Sequence, residues 1–233
     1  MQVVREKQQQ MIISYIGKLL RDYFGKGPES VYVTMDYTFI SIYLRHFLSP
    51  SERVLLAQDQ EAILQQMRTK LMQSLIPEIK AYVVVVTGVK VEDFYFDWSL
   101  HNQSGLIFGI SSAPFPGYET IEENYPGKKE LEREVASMSQ QAQRAPEEIY
   151  SCQLSPRNIV VIRKGILVRI EKELIREGLE DTLKTVKRKL EKSYFHNNNH
   201  IEEIIKKRVI DVFVDWNFEL DKSVIVYILN QAR

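Results

Sequence analysis

Apolar positions along the chain alternate between two periods, and the pattern runs through its course twice. Near the N-terminus MIISYIGKLLRDYF repeats every three to four residues, so Ile13, Ile16, Leu20 and Phe24 share one stripe of a helix. GKGPES then breaks it, because Gly25 and Gly27 tolerate positive φ and Pro28 starts an extended segment. SVYVTM and TFISIYLRHFL are β-branched and aromatic and are split by Asp36-Tyr37, which predicts a hairpin. In LSPSERVLL, Ser49 as N-cap, Pro50 and Glu52 make a capping box, and one long helix should follow with Leu55, Leu56, Ile63, Leu64, Met67 and Leu71 inward. The valines of AYVVVVTG read as the end of that helix, stopped at Thr87-Gly88. VEDFYFDW and SGLIFGI then form a second hairpin around LHNQ.

The second half echoes the first. VEDFYFDW at 91–98 returns as VIDVFVDW at 209–216, 118 positions on. The same shift, taken without gaps, sets Pro28, Glu29 and Tyr32 against Pro146, Glu147 and Tyr150. It also sets Arg45 against Arg163, Leu56 against Leu174, and Ile13, Leu20 and Phe24 against Leu131, Met138 and Ala142. At that shift Leu167 replaces Ser49, so the second capping box is lost, and QRAP replaces GKGP. The expected architecture is α+β: two tandem homologous domains, residues 1–112 and 129–233, joined by a Pro/Gly-rich linker at 113–128. Each should be helix, hairpin, helix, hairpin with helices laid on an antiparallel sheet, the pair forming a pseudo-two-fold arrangement within one chain.

On the Asp-Trp strands, alternation puts Phe94, Phe96 and Trp98 on the face covered by helices, matched by Ile210, Val212, Val214 and Trp216. Val91, Asp93, Tyr95 and Asp97, with Val209, Asp211, Phe213 and Asp215, take the other face. There the aspartates are expected to be solvated and to end the strands; the alternative is that Asp97 and Asp215 approach one another or a ligand. Carboxylates four residues apart on a strand lie about 13 Å apart, too far to share a proton or a metal.

Composition narrows the classes. Lys plus Arg number 31 and Asp plus Glu 31, balanced in each half, so nothing draws the chain to nucleic acid. The basic stretches KTVKRKLEK and KKR are accordingly expected on solvated helix faces. Cys152 is the single cysteine, which excludes a disulfide framework, and it has no base partner in sequence. The N-terminus lacks a signal-peptide core and no apolar run approaches membrane-spanning length, so the expectation is a cytoplasmic protein that does not itself cross the membrane. Gly25-Lys26-Gly27 follows a helix and lacks the Gly-Lys-Ser/Thr ending of a phosphate loop. His196 and His200 are separated by three asparagines, which suits a turn with Asn199 as N-cap better than a metal-binding helix. No nucleophile elbow, zinc signature or dinucleotide fingerprint occurs, and no catalytic residue, metal or cofactor is expected.

The strings FGKGPESVYV, LSPSERVLL and TGVKVEDFYFDWS, with a final apolar strand, resemble the MpsC-like family of bacteria. The likeness covers nearly all of the first half; the second half resembles a degenerate copy, recognisable at Pro146, Glu147, Val209, Asp211, Asp215 and Trp216. The resemblance implies an accessory or regulatory interaction protein of a sodium-translocating, membrane-potential-generating system, tied to ion or bicarbonate uptake, with a membrane transport complex as partner. It supplies no catalytic residues. An alternative is a sensor of a small ligand or anion held between the halves. Lys26, Gly27, Arg45, Asp97, Arg163 and Asp215 are the candidate binding residues.

Overall fold

In a computed structural model of the chain, residues 2–118, 121, 123–196 and 200–230 are described. The chain divides into two compact units, residues 1–120 and 121–233. The first runs α1 (Gln2–Phe24), β1 (Ser30–Asp36), β2 (Phe39–Arg45), α2 (Pro50–Ala57), α3 (Glu61–Thr87), β3 (Val91–Ser99) and β4 (Ser104–Ser111). The second runs α4 (Lys128–Ala142), β5 (Glu148–Ser155), β6 (Asn158–Lys164), α5 (Arg169–Arg176), α6 (Glu180–His196), α7 (His200–Ile205), β7 (Val209–Asn217) and β8 (Lys222–Leu229). Each unit holds one antiparallel sheet, ordered β1-β2-β4-β3 in the first and β5-β6-β8-β7 in the second. Identical strand order in both units is what a duplication requires.

In the first unit Ile12, Ile16, Leu20 and Phe24 of α1 and Leu64, Met72, Leu75, Ile79 and Val83 of α3 close over Ile40, Ile42, Leu44, Phe96, Trp98 and Ile107 of the sheet. The second unit repeats the plan with Leu131, Val135 and Met138 of α4 against Ile159, Val161, Val214, Trp216 and Ile225. The valine run does end a helix, and Gly88 stops it in the left-handed conformation at φ 74°.

Three expectations need correction. The helix after Ser49 is broken, because Asp59 turns to φ 57° between α2 and α3. The break resets the helical phase, so Ile63 and Met67 are exposed and the inward stripe is Leu64, Arg68, Met72, Leu75, Ile79, Val83 and Thr87. A register shift in β3 between Val91 and Asp93 flips one position, which puts Val91 in the helix-covered core rather than beside Asp93. The β7 strand has the same shift, and Val209 likewise packs on the core.

The third correction is to the ungapped alignment. Buried positions Ile12, Ile16, Leu19 and Leu20 of α1 correspond to Leu131, Val135, Met138 and Ser139 of α4, an offset of 119. Glu29 and Glu147 begin their hairpins at an offset of 118, yet each donates its N–H to a carbonyl 119 apart, that of Arg45 or Lys164. The extra residue is taken up by the irregularity between Gln153 and Ser155. The offset of 119 persists through Arg68 and Lys187, then returns to 118 at Val83 and Ile201, beyond the α6–α7 break. Arg45 therefore corresponds to Lys164, and Arg163 corresponds to the core residue Leu44. Val168, not Leu167, stands where Ser49 does.

Candidate functional site

The loop entering α2 is the focus of the first unit. Ser49 Oγ accepts the Glu52 N–H at 3.3 Å, and Glu52 Oε2 accepts the Ser49 N–H at 2.7 Å, so the capping box forms as expected. Glu52 is 2% exposed because the helix phase aims it inward, where Arg68 meets it. Arg68 Nε donates to Glu52 Oε1 at 2.8 Å, while Nη2 donates to Glu52 Oε2 at 2.9 Å and to the Phe47 carbonyl at 2.7 Å. Three rings enclose the guanidinium, with Phe47, Trp98 and Phe24 centroids 4.7, 4.8 and 5.6 Å from its carbon. Burial pushes the Glu52 carboxyl up, but the Arg68 hydrogen bonds and charge outweigh it and hold the group below the usual carboxylate range.

The motif strings meet here. Phe24 ends α1, and Lys26 of the following turn donates to the Leu48 carbonyl at 3.4 Å. Gly27 is pressed against α1: a Cβ on it would lie 3.0 Å from the Gly17 carbonyl oxygen. FGKGP, LSPSE and the Asp-Trp strand thus converge on one buried arginine that none of them contains. Arg68 escaped the sequence reading because an arginine within a polar helical run looks solvated. Its phase was recoverable only by knowing that the helix breaks at Asp59.

The second unit keeps the arrangement with altered chemistry. Glu171 Oε2 accepts the Val168 N–H at 3.0 Å, so half of the capping box survives the loss of serine. Glu171 Oε1 pairs with Lys187 Nζ at 2.6 Å, and Lys187 lies 5.5 Å from the Trp216 ring centroid. Trp216 therefore covers the cation of its unit as Trp98 does, which explains why the tryptophan is repeated. Gln143, in place of Phe24, accepts from Lys187 and donates to Glu191 at 3.4 Å. Glu191 binds Arg163 at 2.6 Å, and Arg163 also donates to Ser139 at 2.7 Å and Ser223 at 2.9 Å. Arg163, Glu191, Ser139 and Ser223 occupy the positions of Leu44, Met72, Leu20 and Gly105, so where the first unit has an apolar contact the second has a polar network, joined through Gln143 to Lys187. Lys187 and Glu191 are buried, which corrects the solvated reading of KTVKRKLEK.

Arg45 is half-buried at the end of β2. Asp97 is 1% and Asp215 4% exposed, which overturns their assignment to a solvated face. Asp97 accepts the Trp98 N–H at 2.7 Å. Asp215 pairs with Arg188 at 3.1 Å, and Arg188 also donates to the Val214 carbonyl along the β7 edge. Tyr95, Phe108, Phe213 and Val226 on the same sheet faces are buried too, so neither face reads as an outer, wetted one. Cys152 is buried. His200 pairs with Glu203 on the surface, and no cluster of His, Cys, Asp or Glu fit to hold a metal occurs among the described residues; Asn199 lies outside them.

These cations and carboxylates are held in multiple bonds inside packed cores, a geometry that fixes loops and does not present a nucleophile or an acid–base pair to a substrate. The family model described as "Na+-translocating membrane potential-generating system (MpsC)" matches residues 4–111 and again 128–231. The uncharacterized protein YbcI of Bacillus subtilis (strain 168) is 31% identical over 80 residues, 34% of this chain, and the match spans 64% of its own length. No solved structure matches.

Proposed function

Because this chain belongs to the MpsC family, the family of a Na+-translocating membrane potential-generating system, we propose that it serves such a system as a non-enzymatic accessory protein. The observation that carries the reading is the family match in both halves, which makes the whole chain two copies of one module. The buried ion pairs support a scaffolding role, since the polar residues of the shared motifs stabilise each unit from within. No helix among the described residues is long and apolar enough to cross a membrane, and on this reading the ion path belongs to partner subunits. The protein works at their cytoplasmic side and adjusts or assembles them.

The test is deletion of the gene in its host, with the membrane potential followed by a potential-sensitive dye as external sodium is varied. Loss of the sodium-dependent part, restored by the wild-type chain, is the expected result. An unchanged sodium response would remove the reading.

A further inference from the structure

The proposed accessory role requires a surface that partners can grip, and the first unit carries a candidate whose corresponding positions in the second unit hold different residues. Between α1 and α3 lies a shallow groove of roughly 400 Å³, lined by Lys7, Gln10, Met11, Ser14, Tyr15, Lys18 and Tyr82. Its floor is flat and preformed. Tyr15 and Tyr82 stack with centroids 3.6 Å apart and planes within 7°. Tyr15 is pinned by a 2.5 Å hydrogen bond to Glu78, and Tyr82 donates to the Met11 carbonyl at 3.5 Å. Met11 stays 41% exposed. Lys7 and Lys18 bracket this floor, eleven positions and hence three helical turns apart, about 16 Å along α1. Neither lysine pairs with a carboxylate among the described residues.

Duplication supplies an internal comparison. By the register of the two cores, Met11, Ser14, Tyr15, Lys18 and Tyr82 correspond to Glu130, Arg133, Glu134, Ser137 and His200. The second unit has replaced the apolar floor by charged groups, as a solvated helix face would be, while the first has kept aromatic rings and methionine. Such a floor between two cations fits an amphipathic helix whose apolar side chains lie on the tyrosines and whose carboxylates reach the lysines. A lipid surface fits less well, since membrane recruitment uses clusters of about four to eight cations, and of the basic residues of α1 only Lys7 and Lys18 line the groove.

We infer that the α1–α3 groove of the first unit docks an acidic amphipathic helix of a partner protein. The probe is a synthetic helical peptide of about 20 residues, bearing leucines on one face and two glutamates eleven positions apart, labelled for fluorescence anisotropy against the full chain. Wild-type protein should bind it, and Lys7→Glu with Lys18→Glu should weaken binding by about tenfold or more. A peptide with lysines replacing the glutamates should recover affinity for that double variant. Arg133→Glu, on the corresponding face of the second unit, should change binding by less than about twofold. Failure of the wild type to bind, or equal binding by the double variant, overturns the inference. So does preference for vesicles of phosphatidylcholine and phosphatidylserine over the peptide. The assay reads the surface alone: binding without a sodium-linked phenotype would remove the physiological role and keep the groove, and the converse would remove the groove.

Discussion

Replacing Arg68 by methionine keeps the length and much of the volume of the side chain but removes the charge. Glu52, 2% exposed, then keeps only its bond from the Ser49 N–H and is a buried carboxylate without a cation. Stranding one member of a buried pair costs about 3–5 kcal/mol. Adding Glu52→Gln to that variant retains an acceptor for Ser49 and removes the buried charge, so the double variant should be more stable than Arg68→Met alone, with a coupling of about 0.5–3 kcal/mol. The pH dependence gives a second handle. In the wild type the folded carboxyl is depressed, so its contribution is present above the ordinary unfolded value, about 4.3, and disappears as pH falls through the folded value. In Arg68→Met the carboxyl is raised instead, so the deficit relative to wild type should shrink on acidification from pH 7 toward pH 5. Only two tryptophans occur in the chain, so a Trp216→Phe background lets Trp98 fluorescence report urea unfolding of the first unit alone. Arg68→Met within about 0.5 kcal/mol of its parent, or additive single changes, would refute the buried pair as the anchor of this loop.

Gly105→Ala should destabilise the first unit by about 1–3 kcal/mol and shift Trp98 emission, because the added Cβ would lie 2.4 Å from the indole carbons. Asp97→Asn and Asp215→Asn should each lower stability by about 1–3 kcal/mol in denaturant titrations, since both carboxylates are buried; near-zero effects would restore the solvated reading. Burial and the Glu78 hydrogen bond push the Tyr15 phenol up to about 12, so a wild-type minus Tyr15→Phe ultraviolet titration should show ionisation well above the ordinary 10. The stability Tyr15 lends is complete below pH 10 and lost as pH rises through about 12, and Glu78→Gln should move that step down.

Much of the fold was legible because periodicity depends on neighbours that the sequence itself displays. The α1 and α4 helices, the four hairpins, the Gly88 stop and the inward Trp98 and Trp216 all follow from it, whereas the breaks between α2 and α3 and between α5, α6 and α7 do not. What stayed hidden depends on single-residue phase. One residue turned at Asp59 moves Arg68 from the wet side to the centre of the core. Similarly, one residue gained in the β5–β6 hairpin moves Arg163 from the counterpart of Arg45 to that of Leu44. Bulges in β3 and β7 hid the placement of Val91 and Val209 in the same way. The aspartates misled for a different reason, since Asp beside a strand end is ordinarily a solvated terminator and only tertiary packing buries it.

The difference between Leu44, Met72, Leu20 and Gly105 in one unit and Arg163, Glu191, Ser139 and Ser223 in the other also constrains the order in which either set could be converted into the other. An arginine arriving in the apolar contact before its glutamate would have been a stranded charge, a loss of about 3–5 kcal/mol, comparable to the whole stability of a marginal domain. Serines are tolerable forerunners, and a glutamate can enter protonated, so a path from the apolar set installs the acceptors first and the arginine last, and a path from the polar set removes the arginine first. Each step then fixes the ones before it: once Arg163 is seated, reverting any partner is harmful. The coupling makes the two halves unexchangeable one residue at a time: transplanting single residues between them should fail where transplanting the quartet succeeds.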